Sequence, residues 1–373
     1  MRVLMTGGGT AGHINPALAI ADKIKREHPD ADILFVGAKG RMETTLVPKA
    51  GYPIRTIDVQ GFQRRLSVKN IGRNVKAAVH AVTAGFAAGR IIKEFKPDIA
   101  IGTGGYVCGP VLRKAAQMGV PVLTHEANAL PGITVKMLAK QAKVTMIANE
   151  AARKHLPDDV PVVTTGNPLR AGFMAADKAK ARLELGLDER PFVLSFGGSL
   201  GAARINDAML GVLEQGSQSG KVQMMHATGK SGYDGFCQAF NEKHIPENKD
   251  IVIREYIDDM PRCMAAADVV ICRCGAMTLS ELPAAGKPSI LIPSPYVAEN
   301  HQFYNAMALV DQGAALCIEE KDLSAECLWK ALCELIDHPE KREQMGQNAA
   351  KTAILDADDR IYAVIADTLQ LNR

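Results

Sequence analysis

Met1-Arg2-Val3-Leu4-Met5-Thr6-Gly7-Gly8-Gly9-Thr10-Ala11-Gly12-His13-Ile14-Asn15-Pro16 sets a short apolar run against a glycine turn and then a helix-compatible stretch. Residues 3–6 read as a buried strand, and Pro16 falls near the start of the helix, where a missing N–H is tolerated. Glycines let the backbone approach a ligand closely. The helix N-terminus adds unpaired N–H groups and about half a positive charge. Strand, glycine loop and helix together make an anion-binding unit of a parallel α/β sheet. Residues 7–12 also fit Gly-x-Gly-x-x-Gly, but dinucleotide sites want an acidic residue at the end of the second strand. Here that strand ends Phe35-Val36-Gly37-Ala38-Lys39, without a carboxylate. NAD is disfavoured, while NADP stays open through Lys39 or Arg41. His13 sits at the mouth of the loop. The helix N-terminus disfavours its charged form, so it stays neutral and able to accept a proton, which makes it the candidate catalytic base.

Outward from this loop the pattern repeats. Apolar runs at 33–36, 99–101, 120–124, 144–148 and 162–165 alternate with amphipathic segments, as βαβ units do. The alternation stops at the turn cluster Gly166-Asn167-Pro168. It restarts at 192–196 and continues at 222–226, 251–254, 269–272 and 290–293. The expected organisation is α/β throughout: a Rossmann-like domain over 1–166, a second over 167–350, and a helical segment over 351–373. In that last segment Ile361, Val364, Ile365 and Leu369 recur at helical spacing, and it is expected to pack back on the first domain. Asp98-Ile99-Ala100-Ile101 and Asp268-Val269-Val270-Ile271 each precede a loop, a helix and a further strand, which supports two similar folds.

Each domain carries further loops at the ends of its strands. Gly102-Thr103-Gly104-Gly105-Tyr106 follows the run 99–101, and His125-Glu126-Ala127-Asn128 follows 120–124. Both belong at the carboxyl edge of the sheet, where open α/β sheets bind ligands. In the second domain Gly197-Gly198-Ser199-Leu200-Gly201-Ala202 supplies a helix N-terminus and a hydroxyl suited to a diphosphate. Gly275-Ala276-Met277-Thr278-Leu279-Ser280-Glu281 opens another helix, with Glu281 placed to accept bonds from a ribose. Arg170 at the boundary adds a positive charge for the diphosphate.

Bulk properties bound the reading. A chain of 373 residues is long for one core and comfortable for two. Hydrophobic content of 47% beside 23% charged residues is that of a globular protein, and with aromatics at 5% the core rests on aliphatic packing. The eight cysteines include no CxxC pair, and Cys272 and Cys274 lack partners at zinc spacing, so reduced thiols and no metal are expected. The N-terminus lacks the apolar stretch of a signal peptide, and no run approaches the ~20 apolar residues of a spanning helix. Residues 1–165 carry 23 Lys and Arg against 12 Asp and Glu, while the remainder carries 21 against 29. Such asymmetry suits a first half that meets an anionic surface or ligand. Between Val59 and Lys93 no acidic residue occurs, yet Arg64, Arg65, Lys69, Arg73, Lys76 and Arg90 do. Val75, Val79, Val82 and Phe86 lie on one helical face there. An apolar stripe beside basic residues suits adsorption to anionic lipid, and equally a stripe facing the core. Nothing in the chain reads as a nucleic-acid motif.

Taken in order, several motifs resemble one family. They are Gly8-Gly9-Thr10-Ala11-Gly12-His13, Gly104-Gly105-Tyr106, His125-Glu126-Ala127-Asn128, Gly166-Asn167-Pro168-Leu169-Arg170 and Gly197-Gly198-Ser199. Then follow Tyr256-Ile257-Asp258-Asp259-Met260, Cys272-Arg273-Cys274-Gly275-Ala276 and Glu299-Asn300-His301-Gln302-Phe303-Tyr304-Asn305-Ala306. The chain is similar over residues 1 to about 310 to the peripheral-membrane N-acetylglucosaminyltransferases of peptidoglycan synthesis. The resemblance implies a GT-B fold, two Rossmann-like domains facing across a cleft, without an organic cofactor or obligatory metal. It implies transfer of GlcNAc from UDP-GlcNAc to the C4 hydroxyl of the muramoyl unit of lipid I. The product is lipid II, formed with inversion. By similarity the backbone of Ile257 meets uracil with Arg273 nearby, and Glu281 holds the ribose. Ser199, Arg170 and the helix start at Ala276, Met277, Thr278, Leu279 and Ser280 hold the diphosphate. Gln302 and Asn128 contact GlcNAc, and Thr10, Ala11 and Gly12 close over it. Gly104, Gly105 and Tyr106 face the acceptor diphosphate. The resemblance further implies residence on the cytoplasmic face of the membrane and a cell-wall synthesis complex as partner. Two departures stand out: Ala11 where glycine is common, and Cys274 where serine is common. An NADP-dependent oxidoreductase and a non-enzymatic nucleotide-sugar sensor are the competing readings.

Overall fold

The computed structural model describes residues 1–59, 83–169, 172–173, 176–198, 201–246 and 249–371. Arg170, Ser199 and the basic stretch from Arg64 to Lys76, with Val75, Val79 and Val82, lie outside the described residues. The chain forms two compact units: Met1–Pro168 with Asp356–Arg373, and Leu169–Leu355.

The first unit runs β1 (Arg2–Thr6), α1 (Ala11–Glu27), β2 (Asp32–Ala38), α2 (Glu43–Lys49) and β3 (Ile54–Ile57). Helical residues 83–95 (α3) follow. Then come β4 (Ile99–Gly102), α4 (Cys108–Gln117), β5 (Val122–Glu126), α5 (Ile133–Leu138), β6 (Val144–Ile147) and β7 (Val162–Thr164). All seven strands are parallel, in the order β3-β2-β1-β4-β5-β6-β7. Side chains alternate faces along a strand, so β1 feeds two cores. Val3 and Met5 pack with Ile14, Ile20 and Ile24 of α1. Leu4 packs on the other face with Val111 and Leu112 of α4 and Ile91 and Ile92 of α3.

The second unit runs α6 (Lys178–Glu184), β8 (Phe192–Phe196), α7 (Ala203–Ser219), β9 (Gln223–Ala227), α8 (Tyr233–Glu242), β10 (Ile251–Arg254) and α9 (Met260–Ala266). It continues with β11 (Val269–Cys272), α10 (Thr278–Ala284), β12 (Ser289–Leu291), α11 (His301–Val310), β13 (Ala315–Cys317), α12 (Ala325–Ile336) and α13 (Pro339–Lys351). Its six parallel strands take the order β10-β9-β8-β11-β12-β13. Val193 and Ile271 face α7 and α12, while Leu194 and Val270 face the opposite core. All eight cysteines are free.

The last helix, α14 (Ala357–Leu369), belongs to the first unit. Ile361 and Ile365 are buried beside Ile20 and Ile24. Around that apolar seam Lys23 Nζ reaches Asp359 at 2.7 Å, Arg26 reaches Asp358 at 2.8 Å, and His28 Nε2 lies 2.7 Å from the Tyr362 hydroxyl. Among the described residues no helix is long and apolar enough to cross a membrane.

One strand reading needs correction, and two strands went unread. The run 120–124 is displaced to Val122–Glu126, because Pro121 has no N–H for the ladder, so His125 and Glu126 finish β5 instead of opening a loop. β3 and β13 carry too little apolar pattern to stand out: Arg55 and Thr56 are exposed in β3, and β13 is three residues long.

Candidate functional site: two switch points with glycine loops

In each sheet the strand order reverses once, and at that reversal two neighbouring strands send their loops to opposite sides, opening a crevice at their carboxyl ends. In the first unit the reversal lies between β1 and β4. It therefore sets the 7–12 loop beside the 103–107 loop. Gly8 N donates to Gly104 O at 3.3 Å, and Thr103 Oγ1 donates to His13 O at 2.6 Å. A Cβ on Gly105 would stand 2.2 Å from the carbonyl oxygen of Gly8, at φ +89°, so only glycine lets the loops meet. The thiol of Cys108 donates to Gly104 O at 2.9 Å and Thr6 O at 3.2 Å, tying the second loop to the end of β1. Burial pushes that thiol up to about 12, so it stays a donor.

His13 is half-buried at this junction. Its Nδ1 lies 3.1 Å from Thr103 O. A carbonyl only accepts, so Nδ1 carries the proton and the neutral ring has its lone pair on Nε2. Burial holds its pKa below the ordinary value, opposed by the bond to Thr103 and the charge of Glu43. Thr10 precedes α1 without a side-chain cap bond, and Thr10, Gly12 and Tyr106 are exposed on the loops. Ala11 opens α1 and is absent from the residues with positive φ, so its methyl costs the turn no backbone strain.

Beyond β5, Glu126 is buried and shapes the turn that follows. Its Oε1 accepts from Asn128 N and Nδ2 at 2.9 Å each, and Oε2 accepts from Gly132 N at 2.8 Å. Asn128 is thus held with its side chain half-exposed. His125 is fully buried, with Nε2 3.0 Å from Gly166 O, and burial lowers its pKa to about 4. It is neutral and structural at physiological pH.

The reversal in the second unit lies between β8 and β11. Here residues 197–198 and 201–202, with Arg273 and Gly275 after β11, border a cavity of about 520 Å³ that Thr278 and Gln302 also line. A Cβ on Gly201 would stand 2.0 Å from Thr228 O, at φ +81°.

Residues 3–147 match the glycosyltransferase family 28 N-terminal domain, and residues 192–361 match the glycosyltransferase family 28 C-terminal domain. The chain is a family 28 glycosyltransferase. It is 45% identical over 372 residues, 99% of each chain, to a protein of Acetivibrio thermocellus. That protein is named UDP-N-acetylglucosamine–N-acetylmuramyl-(pentapeptide) pyrophosphoryl-undecaprenol N-acetylglucosamine transferase. A Thermoanaerobacter protein of the same name is 44% identical, across 98% of this chain and 99% of that one. Among solved structures, Acinetobacter baumannii MurG superposes with TM-score 0.79 at 28% identity, covering 98% of this chain and 99% of that one. The two sheets described above are the two Rossmann-like domains of the GT-B fold.

In the second unit of this glycosyltransferase, Arg273 is committed to the protein. It donates to Ile292 O and Pro293 O at 3.2 Å each and pairs with buried Glu320. Its charge is thereby largely offset and its guanidinium fixed at the cavity wall. Gln302 Oε1 accepts from Ser294 N at 2.9 Å, which orients the amide. Just before it, Glu299 and Asn300 adopt φ +54° and +53°, strained for residues other than glycine, as segments held for function often are. Glu281 is 1% exposed on the inner face of α10. Ser280 Oγ bonds back to Ala276 O at 3.2 Å, and Leu279 N to Gly275 O at 3.0 Å, closing the first turn of that helix. Met277 directly precedes α10. Ile257 is buried two residues before Asp259, whose carboxylate caps α9 by accepting from Arg262 N at 3.2 Å. Cys274 is fully buried and burial raises its thiol well above the ordinary value, so it adds neither charge nor hydroxyl to the cavity.

Sequence reasoning passed over Glu43, Cys108 and Glu320, and it named Thr103 only as a member of the 102–106 loop. Among the described residues no group of three or more His, Cys, Asp or Glu side chains is arranged to hold a metal ion.

Proposed function

We propose that this glycosyltransferase moves GlcNAc from UDP-GlcNAc to the C4 hydroxyl of the muramoyl unit of lipid I, giving lipid II with inversion. The observation that carries the reaction is His13: a neutral histidine, lone pair on Nε2, held between two glycine loops at a switch point. The substrates come from the names of full-length relatives at 44–45% identity.

In this reading the second unit holds the donor. Uracil meets the backbone at Ile257 near Arg273, and Glu281 takes the ribose hydroxyls. The diphosphate lies on the 197–202 loop and the start of α10, with Ser199 and Arg170 as further donors. Gln302 and Asn128 contact the GlcNAc, and Thr10, Ala11 and Gly12 close over it. The first unit takes the acceptor, with Gly104, Gly105 and Tyr106 toward its diphosphate. His13 Nε2 accepts the proton of the C4 hydroxyl as that oxygen bonds to the anomeric carbon. The bond to UDP breaks on the opposite face, which inverts the centre. Backbone amides and helix dipoles at the second switch point stabilise the departing diphosphate. The enzyme works at the cytoplasmic face of the membrane, bound peripherally to anionic lipid. Support for this is the basic segment that ends at Lys93, with Phe86 68% exposed on α3.

The deciding measurement is UDP release from UDP-GlcNAc with a soluble lipid I analogue. Turnover that requires the analogue is expected. Normal donor binding with no turnover by the native protein would sink the reading.

A further inference from the structure

Glu43 opens α2 and is completely buried. Its Oε2 accepts from Gly9 N at 3.0 Å and its Oε1 from Ala38 N at 2.9 Å. The surroundings are shaped to admit it. A Cβ on Gly8 would stand 2.3 Å from its Oε1, and a Cβ on Gly37 2.6 Å from its Cγ. The glycine of the first loop that directs an amide inward, Gly9, therefore meets a carboxylate of the protein itself. A dinucleotide-binding loop offers such amides to a phosphate.

Among the described residues Glu43 makes no ion pair with lysine or arginine. Burying an unpaired carboxylate is costly unless amides and helix ends compensate. Two backbone amides do so here. The titratable groups that feel its charge are His13 from α1 and Cys108 from α4, and in both the effect favours the protonated form. Water does not screen a charge in such a site, so the interaction persists over several ångströms.

We infer that Glu43 is a positioning residue of the transfer reaction: an internal anion that locks the first glycine loop and stabilises the imidazolium formed when His13 takes a proton. The inference rests on the reading of His13 as base. It also accounts for the fate of the Gly-x-Gly-x-x-Gly fingerprint, because a loop amide that a phosphate would use is already bonded.

The test is E43Q, near-isosteric and uncharged, with E43D as the charged control. Three measurements are made on each full-length protein: UDP affinity, the pH profile of kcat, and the His13 imidazole titration by NMR, its resonance assigned with H13Q. E43Q is expected to bind UDP within about twofold of the native protein and to lose about tenfold or more in kcat. Removing a negative charge makes the imidazolium less favourable, so the His13 titration and the acid limb of kcat both move to lower pH. E43D is expected to keep both midpoints near the native values even where its shorter reach lowers kcat. An unmoved His13 titration in E43Q, or an equal shift in E43D, would overturn the inference. H13Q with native kcat would instead remove His13 as base, and the NMR titration would still report on Glu43.

Discussion

The two switch points share a strand order and a pair of loops, yet they are filled differently. In the first unit the loop amide of Gly9 is bonded to a buried carboxylate and a neutral histidine stands at the junction. In the second unit the corresponding loops border an open cavity of about 520 Å³, and Arg273 at its wall is paired with Glu320. One site is already filled by a side chain of the protein itself. The other presents glycine-loop backbone and a helix start around an open space, a setting that suits an anion. Topology decides where a site forms; the residues buried behind the loops decide what it accepts.

The comparison breaks most sharply at His13. His13→Ala is expected to lower kcat by about 10²–10⁴-fold while UDP affinity stays within about twofold, measured by steady-state kinetics and calorimetry. A large loss of UDP binding would show that the two sites are not separable. In the native protein burial depresses the His13 pKa, so the acid limb of kcat is expected below the ordinary histidine value of 6.5. A limb above that value would place the proton acceptor elsewhere.

The reciprocal change is Gly201→Ala. The added carbon meets the Thr228 carbonyl at 2.0 Å, so the loop must shift. UDP affinity is expected to fall by about tenfold or more, with the His13 titration unchanged. Next in size is the seam of the first unit: Ile365→Ala is expected to cost about 2–4 kcal/mol in denaturant unfolding. The loss belongs to the first unit alone, so the transition of the second should stay in place. The smallest effect expected is at Cys108. Cys108→Ser keeps a donor for Gly104 O and Thr6 O and should be nearly neutral, while Cys108→Ala should cost about 1 kcal/mol.

Acid exposes both units. Burial lowers His125 in the first to about 4 and His226 in the second to about 3. Each has a folded pKa below its unfolded value, so the neutral ring's contribution is complete above about pH 6.5 and is lost as pH falls toward the folded pKa. Unfolding midpoints are expected to drop with acidification below about pH 6.5, and His226→Asn should flatten that slope for the second unit.

Much of this was legible from residue order. Buried parallel strands are written as apolar runs, and glycine loops announce strand ends, so the α/β class and the carboxyl-edge loops follow from local sequence. What escaped depends on distance. Glu43 looks like any first-turn carboxylate; its bond to Gly9 spans 34 residues. Glu320 meets Arg273 across 47 residues. Gly37 reads as a weak point in β2 until the carboxylate it admits is seen. His125 and Glu126 looked like loop residues because they are polar. Their partners, Gly166 O and the amides of the 128–132 turn, let them be buried at a strand end.

The helix α14 has a consequence for how the chain is made. The second unit is one continuous stretch, Leu169–Leu355, enclosed within the residues of the first. Ile361 and Ile365, which leave the ribosome after the whole of the second unit, complete the core begun by Val3 and Met5, which leave it before that unit. Vectorial synthesis therefore finishes the enclosed unit before the enclosing one. The N-terminal sheet stays a nascent, uncapped layer until α14 has emerged, and the junction of glycine loops built upon it is the later of the two to mature.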